Sequence, residues 1–238
     1  YFSAAQDGRD NDGNITQTVA GVKQLTSIEG KFKGVRQGTG VGDNRYSTHS
    51  RTTITTSSKI IVMAAAEVWF LRAEAALRGF TSEDVESCYK QGVTTSFAQW
   101  DASGVSEYLE SENTPADYVD TFDKNFDAKA TTSITPKWDN TADNETKLER
   151  IITQKWLAIY PEGCEAWAEQ RRTGYPKLFK VVVNNSSNAI STDDMIRRVF
   201  FNQDYITNNK PLYDALVSKL GGLDTGGTRL WWDTGKNN

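Results

Sequence analysis

The chain has 238 residues, a net charge of −4 and a pI near 5.2. An acidic surface repels a phosphate backbone, which argues against nucleic acid as a partner. The longest apolar run, residues 60–66, is far short of the ~20 apolar residues of a membrane-spanning helix.

Residues 1–58 are rich in Gly, Ser, Thr, Asn and Asp, with single apolar residues such as Ile15, Val19, Val22, Leu25 and Ile28. That pattern predicts short strands and long loops. Within it, Asp7-Gly8-Arg9-Asp10-Asn11-Asp12-Gly13-Asn14 has the oxygen ligands of a calcium loop. Aligning Gly13 with the EF-hand glycine puts Gly8 at the first ligand position and Val19 at the last, and both fail. A solvated turn is the main reading, with a Ca2+ site outside the EF-hand pattern as the alternative; no other cofactor is expected. His49, the one histidine, reads as a lone surface residue, since zinc sites need several clustered ligands.

The pattern changes at Lys59. Over residues 63–78, Val62, Ala66, Trp69, Phe70, Ala73 and Leu77 recur at helical spacing, with Glu67, Arg72, Glu74 and Arg78 on the polar face. Gly79 suits the position after the helix. Thr81, with Asp84 three residues on, predicts the cap of a second helix. Its stripe is Val85, Cys88/Tyr89, Gly92/Val93, Ser96/Phe97 and Trp100. Residues 59–100 thus read as an αα-hairpin of about the 34 residues of a tetratricopeptide unit.

Residues 101–145 form a long polar stretch with short helical pieces expected near 105–109 and 116–122. Such a loop inside a compact domain is often functional. Residues 146–238 return to helices: 146–160 through Leu148, Ile151, Ile152, Trp156 and Ile159, an interruption at Pro161-Glu162-Gly163, then 165–172 up to Gly174-Tyr175-Pro176. A last helix, 211–220, has Asn209 as cap, Pro211 near its start and Gly221 after its end. Cys88 and Cys164 lie within helical patterns and read as buried free thiols, a disulfide being the alternative.

Asp-Thr-Gly occurs at Asp224 and again at Asp233. An aspartic protease presents its paired carboxylates on that tripeptide, but here the two copies are nine residues apart and no strand follows to brace either loop. The Gly-rich run around Gly226 and Gly227 also lacks the Lys-Ser/Thr end of a phosphate-binding loop. The two copies look accidental, and Trp231 and Trp232 are expected to pin the tail against the helical body.

Four segments together carry a resemblance. They are Ala65-Ala66-Glu67-Val68-Trp69-Phe70-Leu71-Arg72-Ala73-Glu74-Ala75-Ala76-Leu77-Arg78-Gly79; Arg150-Ile151-Ile152-Thr153-Gln154-Lys155-Trp156; Pro161-Glu162-Gly163 with Glu165-Ala166-Trp167 and Arg171-Arg172-Thr173-Gly174-Tyr175-Pro176; and Arg197-Arg198 with the closing run from Leu220 to Asp233. In this order they resemble the C-terminal half of SusD/RagB-like proteins. The resemblance implies a mainly α, SusD-like fold with tetratricopeptide-like helix hairpins, long irregular loops and minor short strands. It implies that residues 1–238 are the C-terminal portion of one such domain. It further implies a non-catalytic surface lipoprotein of Bacteroidetes that binds glycans or other nutrients for import through a SusC-like TonB-dependent transporter in the outer membrane. The signal peptide, the lipid anchor and the first helix pairs would then lie outside this chain, as would part of any binding site. Peptide binding with the same transporter, or a scaffold without glycan affinity, are the alternatives.

A sugar binder stacks an aromatic ring on the sugar's C–H face and places amides, carboxylates or guanidinium groups at its hydroxyl rim. The 101–145 loop offers Tyr108, Tyr118 and Trp138 with Asp139 and Asn140; Arg36 and Tyr46 add to them from the early loops. These seven are the candidate ligand-binding residues, and no catalytic or metal-ligating residue is expected. Glu162, Glu165 and Glu169 raise the alternative of a two-carboxylate glycosidase, but their spacing reads as one solvated helix face.

Overall fold

A computed structural model describes residues 17–19, 22–24, 32–39, 46, 49–50, 52, 55–58, 60–120 and 123–233. Two short antiparallel strands, β1 (Gln17–Val19) and β2 (Val22–Gln24), pair with Val19 opposite Val22. Seven helices follow among the described residues: α1 (Ala65–Leu77), α2 (Val85–Gln99), α3 (Val105–Leu109), α4 (Asn144–Ala158), α5 (Gly163–Thr173), α6 (Gln203–Asn208) and α7 (Lys210–Leu220). The fold is mainly helical. The calcium-like run at residues 7–14 lies outside the described residues, among which no cluster of metal-ligating side chains occurs.

The helix ends follow local chemistry. The Asp84 carboxylate accepts from the Ser87 N–H at 2.8 Å, and Asp143 accepts from Thr146 N–H at 2.7 Å. Asp84, and not Thr81, is therefore the cap of α2. Asn209 caps α7, and Gly79, Gly174 and Gly221 all take positive φ just past helix ends. Part of the segment expected to be helical near 116–122 is extended instead: Tyr118 and Ala128 exchange backbone hydrogen bonds of 2.8 Å. Helix α6 is an element that the sequence reading did not anticipate.

The core is the α1–α2 hairpin with α4 laid across it. Ala66, Phe70 and Ala73 of α1 meet Tyr89 and Val93 of α2 and Ile151 and Ile152 of α4. The close approach needs Gly92, where a Cβ would stand 2.8 Å from the Phe70 ring.

The two carboxylates on the polar face of α1, Glu67 and Glu74, do not face water. Lys155, fully buried on α4, has Glu67, Glu165 and Glu169 at 3.3, 3.1 and 2.9 Å. Arg172 holds both Glu74 oxygens, at 2.6 and 2.7 Å, and Glu169 at 2.7 Å, while Arg78 reaches Glu74 at 2.8 Å. Glu169 thus belongs to an interior network and not to a solvated face, whereas Glu165 reaches Lys155 with its side chain still 42 % exposed. Burial acts to lower the Lys155 pKa, and Glu169 and Glu165 more than reverse it. Three further expectations are corrected. His49 is buried against the Tyr46 ring, Cys164 is exposed, and Trp231 is 92 % exposed.

The tail is held by charge. Arg197 pairs with both oxygens of Asp233, at 2.7 and 2.8 Å, and the neighbouring Arg198 pairs with Asp224, the side chains of all four being almost wholly shielded from solvent. The carboxylates of the two Asp-Thr-Gly copies are the partners of the Arg197-Arg198 pair. Their recurrence has a structural reason.

Two predictions follow from these charges. Lys155→Met leaves buried carboxylates uncompensated and lowers stability by about 3–5 kcal/mol, the usual cost of breaking a buried pair; denaturant unfolding checks it, and Lys155→Arg loses less. The second concerns acid. Burial acts to raise the carboxyls of Glu74 and Asp233, but their arginine partners hold both below the ordinary 4.5 and 3.8. Burial and Lys33 hold His49 below its ordinary 6.5, against the pull of Asp120. All three therefore contribute stability above their unfolded values that is lost as pH falls through the folded ones. Thermal melts are expected to decline below pH 6.5 and more steeply below 4.5; Asp233→Asn flattens the most acidic part.

Candidate binding site

The seven residues singled out in the sequence separate into two groups. Trp138 is 8 % exposed and sits in the core, its ring 5.1 Å from that of Tyr89. Its indole N–H donates to Asn140 Oδ1 at 2.9 Å. Asn140 in turn donates to Glu86 at 2.7 Å. Asp139 accepts from the Thr141 N–H and hydroxyl at 2.8 and 2.6 Å, which hold its carboxyl below the ordinary range. Tyr108 packs on Phe97 with ring centroids 5.2 Å apart and takes a 2.8 Å hydrogen bond from Gln154. Trp138 and Tyr108 thus serve the core, and Asp139 and Asn140 brace the loop that carries Trp138. The expectation of a platform built on Trp138 is corrected: its ring has no exposed face of useful size.

Arg36, Tyr46 and Tyr118 do come together, around the fully buried Asp120. Tyr46 donates to Asp120 Oδ1 at 2.9 Å, and Tyr118 donates to Oδ2 at 3.3 Å. Burial, reinforced by the Asp120 charge, pushes the Tyr118 phenol up to about 12. The Arg36 guanidinium lies 5.5 Å from the Phe179 ring centroid and donates to the carbonyls of Phe126 and Asp127 at 3.0 and 3.2 Å. It also donates to the Lys180 carbonyl. Arg36 therefore fastens the irregular segment 177–202 to the early loops. Gly38, at φ +77°, fastens it again: its carbonyl accepts from the N–H groups of Val182 and Val183 at 2.8 and 2.9 Å. A Cβ on Gly38 would stand 2.6 Å from Val181.

Beside this cluster, α5 and the 177–202 segment enclose a groove of about 970 Å3. Trp156 and Trp167 supply aromatic wall, Phe179 and Gln37 border the Arg36 side, and Gln170 and Asn184 supply amides. Arg171 covers one face of Trp167 at 3.7 Å, and the indole N–H donates to the Ile196 carbonyl at 2.6 Å. Arg171 and Arg197 donate to each other's backbone carbonyls at 2.8 and 3.0 Å, so the Arg197–Asp233 pair also sets the groove wall. Asn184 donates to Ile190 O and Thr192 Oγ1, at 2.9 and 3.1 Å, which shapes the turn at the rim.

One atom stands out. Gln170 Oε1 is buried without a hydrogen-bond partner and belongs to a groove-lining side chain. An unsatisfied buried acceptor is costly unless a ligand or water meets it. The carboxylates at the rim are engaged: Asp193 pairs with Lys180 at 2.5 Å and Asp194 with Arg229 at 3.1 Å. Aromatic walls, amides and neutralised carboxylates suit a neutral ligand rich in hydroxyls better than a strongly charged one. Sequence reading did not single out Trp167, Gln170 or Asn184. A usable signal was the irregular run after Pro176, as long as many functional loops and rich in Asn and Ser.

The comparisons with known proteins agree with this architecture. The family model described as "SusD-like: Susd and RagB outer membrane lipoprotein" matches residues 7–233. A SusD homologue of Bacteroides vulgatus is 49 % identical, with 94 % of this chain and 45 % of that one covered and a TM-score of 0.80. A chitin-binding SusD homologue of Flavobacterium johnsoniae is 38 % identical, with 100 % and 46 % covered and a TM-score of 0.82. A SusD homologue of Bacteroides thetaiotaomicron is 34 % identical, with 100 % and 48 % covered and a TM-score of 0.82. No curated protein sequence matches the chain. The chain spans about half the length of the solved structures it matches. The family is one of binding proteins rather than enzymes. On a family match that takes in nearly the whole chain, the protein belongs to the SusD-like family of outer-membrane lipoproteins.

Proposed function

We propose that the chain is part of a non-catalytic, lipid-anchored surface protein that captures glycans and passes them to a SusC-like TonB-dependent transporter in the outer membrane. The observation that carries the glycan reading is the groove beside α5. It joins the Trp156 and Trp167 rings to the amides of Gln170 and Asn184, and a small turn of the Gln170 side chain would bring its buried, unpartnered Oε1 to a hydroxyl donor. The chitin-binding relative, 38 % identical over the whole of this chain, supports a polysaccharide ligand. The transporter partnership and the surface location rest on the family alone.

The test is affinity electrophoresis and calorimetry on the full-length protein with a panel of oligosaccharides, chitin oligomers among them. Gln170→Leu is expected to weaken binding about tenfold, the loss of ~1.4 kcal/mol. The same change is expected to leave Tm unchanged or raised, because it removes a buried acceptor that lacks a partner. Trp138→Ala is expected to do the reverse, lowering Tm by emptying core volume with little effect on affinity. No binding to any glycan would turn the reading toward peptides or a scaffold role, and a transporter pull-down would separate those two.

A further inference from the structure

Arg171, on α5 beside the groove, has no carboxylate of its own. Its guanidinium lies over the Trp167 ring at 3.7 Å and stands 5.2 Å from the centre of the Trp232 ring, so one cation touches both a groove ring and a tail ring. Nη1 donates to the Arg197 carbonyl at 2.8 Å, and Nε is buried with no hydrogen-bond partner. Among the described residues no carboxylate comes within ion-pair distance of it. Those nearby are engaged elsewhere. Asp233 is shared by Arg197 and Arg229, Asp194 holds Arg229, and Glu169 and Glu165 turn to Arg172 and Lys155. The guanidinium groups of Arg171, Arg197 and Arg229 thus face only the carboxylates of Asp233 and Asp194, and at the rim Lys180 and Asp193 cancel. One positive charge remains behind Trp167, in a chain whose net charge is −4.

An arginine in this setting is unfavourable as mere packing. Burial, and then the Arg197 charge, pull its pKa below the ordinary range against the pull of Asp233, yet an arginine keeps its proton. A methionine would bridge the two rings without leaving a buried Nε unmet. What the guanidinium alone supplies is a flat, charged plate on one face of an indole. The Trp167 ring lines the groove and is fixed by its N–H on the Ile196 carbonyl at 2.6 Å. A ligand that stacks on it therefore has only the opposite face. A positive charge on that face would stand roughly 7–8 Å from the guanidinium, one van der Waals separation beyond the 3.7 Å on the near side. The ring quadrupole that draws cations to an indole is already engaged from behind.

We propose that Arg171 is a specificity-determining residue of the groove: backed by Trp232, it presents Trp167 by one face only and keeps positively charged ligands off that face while neutral sugars are admitted. The inference rests on the reading of the groove as a glycan site and deepens it by naming the class refused, sugars with free amino groups. At that separation and an effective dielectric near 20, the repulsion costs such a ligand about tenfold in affinity. The C-terminal tail thereby takes part in binding through Trp232, at one remove from the ligand.

The charge felt at the Trp167 ring can be read without any glycan. The full-length protein is labelled with 5-fluorotryptophan, and the Trp167 fluorine line is assigned with Trp167→Phe. Neutral, carboxylate-bearing and ammonium-bearing nitroxides of similar size are then added in turn. The ammonium nitroxide is expected to broaden the Trp167 line about threefold less than the neutral one, a mobile probe being screened more than a stacked ligand; the carboxylate nitroxide is expected to broaden it no less than the neutral one. Arg171→Gln is expected to erase the difference, and Arg171→Lys, which keeps the charge, to retain most of it. Equal broadening in the wild type, a difference that survives Arg171→Gln, or no broadening by any of the three overturns the proposal. Should Arg171→Gln also disturb the line of Trp138, which reports the core, Trp232→Ala carries the test. It is expected to shift the Trp167 line with the Trp138 line in place, and an unmoved Trp167 line overturns the proposal. Affinity electrophoresis with a chitin hexamer and its fully deacetylated counterpart then gives the ligand side. The wild type is expected to favour the acetylated form about tenfold and Arg171→Gln to narrow that ratio; a purely structural role would weaken both alike, and an unchanged ratio overturns the proposal. If no glycan binds while the nitroxide pattern holds, the effect of Arg171 stands and the glycan reading alone fails.

Discussion

The buried ammonium of Lys155 is the constraint on which the rest of the structure depends. An unpaired charge in that position would be very unfavourable, so carboxylates must be brought to it from α1 and α5. Meeting that requirement sets the positions of three helices at once. Arg172 extends the network to Glu74, at the other end of α1. The hydrophobic core between α1, α2 and α4 supplies the driving force, but apolar contact is tolerant of small slides. Bidentate ion pairs are not, and they fix where α5 lies against the hairpin. The groove depends on that placement, because Trp156 follows Lys155 on α4 and Trp167 and Gln170 flank Glu169 on α5.

A second set of charges holds the other wall. The 177–202 segment has no regular structure, so its backbone groups need partners from elsewhere. Arg36, Gly38 and Arg171 supply them at separate points along it. The Arg197-Arg198 pair then ties the segment to Asp233 and Asp224 of the tail. The tail can lie close because it is glycine-rich: a Cβ on Gly227 would stand 2.4 Å from the Ala189 carbonyl oxygen. Trp232 completes the arrangement, 5.2 Å from the Arg171 guanidinium, whereas its neighbour Trp231 faces solvent. Of the two tryptophans, one braces the tail.

The helices were legible because their signals are local. Phe70, Ala73 and Leu77 repeat at helical spacing, Asn209 caps the turn it precedes, and Gly221 takes the left-handed conformation right after α7. Partnerships across the fold were not legible. Glu74 looks solvent-facing in its own helix, and its partner Arg172 is 98 residues away. Asp224 and Asp233 resembled a catalytic motif for the same reason: their arginines lie in a different part of the chain. Aromatic residues were the least readable. Sequence neighbours mislead: Trp138, between Lys137 and Asp139, faces Tyr89 and Arg150 in the core, while Trp167, between Ala166 and Ala168, lines a groove. Composition alone does not separate these outcomes, because the decision is made by helices packed against each ring.

The central claim is that ligand is held between α5 and the 177–202 segment, away from the aromatic loop of residues 101–145. Hydrogen exchange followed by mass spectrometry, on the full-length protein with and without a saturating oligosaccharide, tests it most directly. The account predicts added protection in peptides spanning residues 163–173 and 178–199, with peptides around Trp138 unchanged. Protection confined to residues 101–145, with the α5 and 178–199 peptides unaffected, would contradict it.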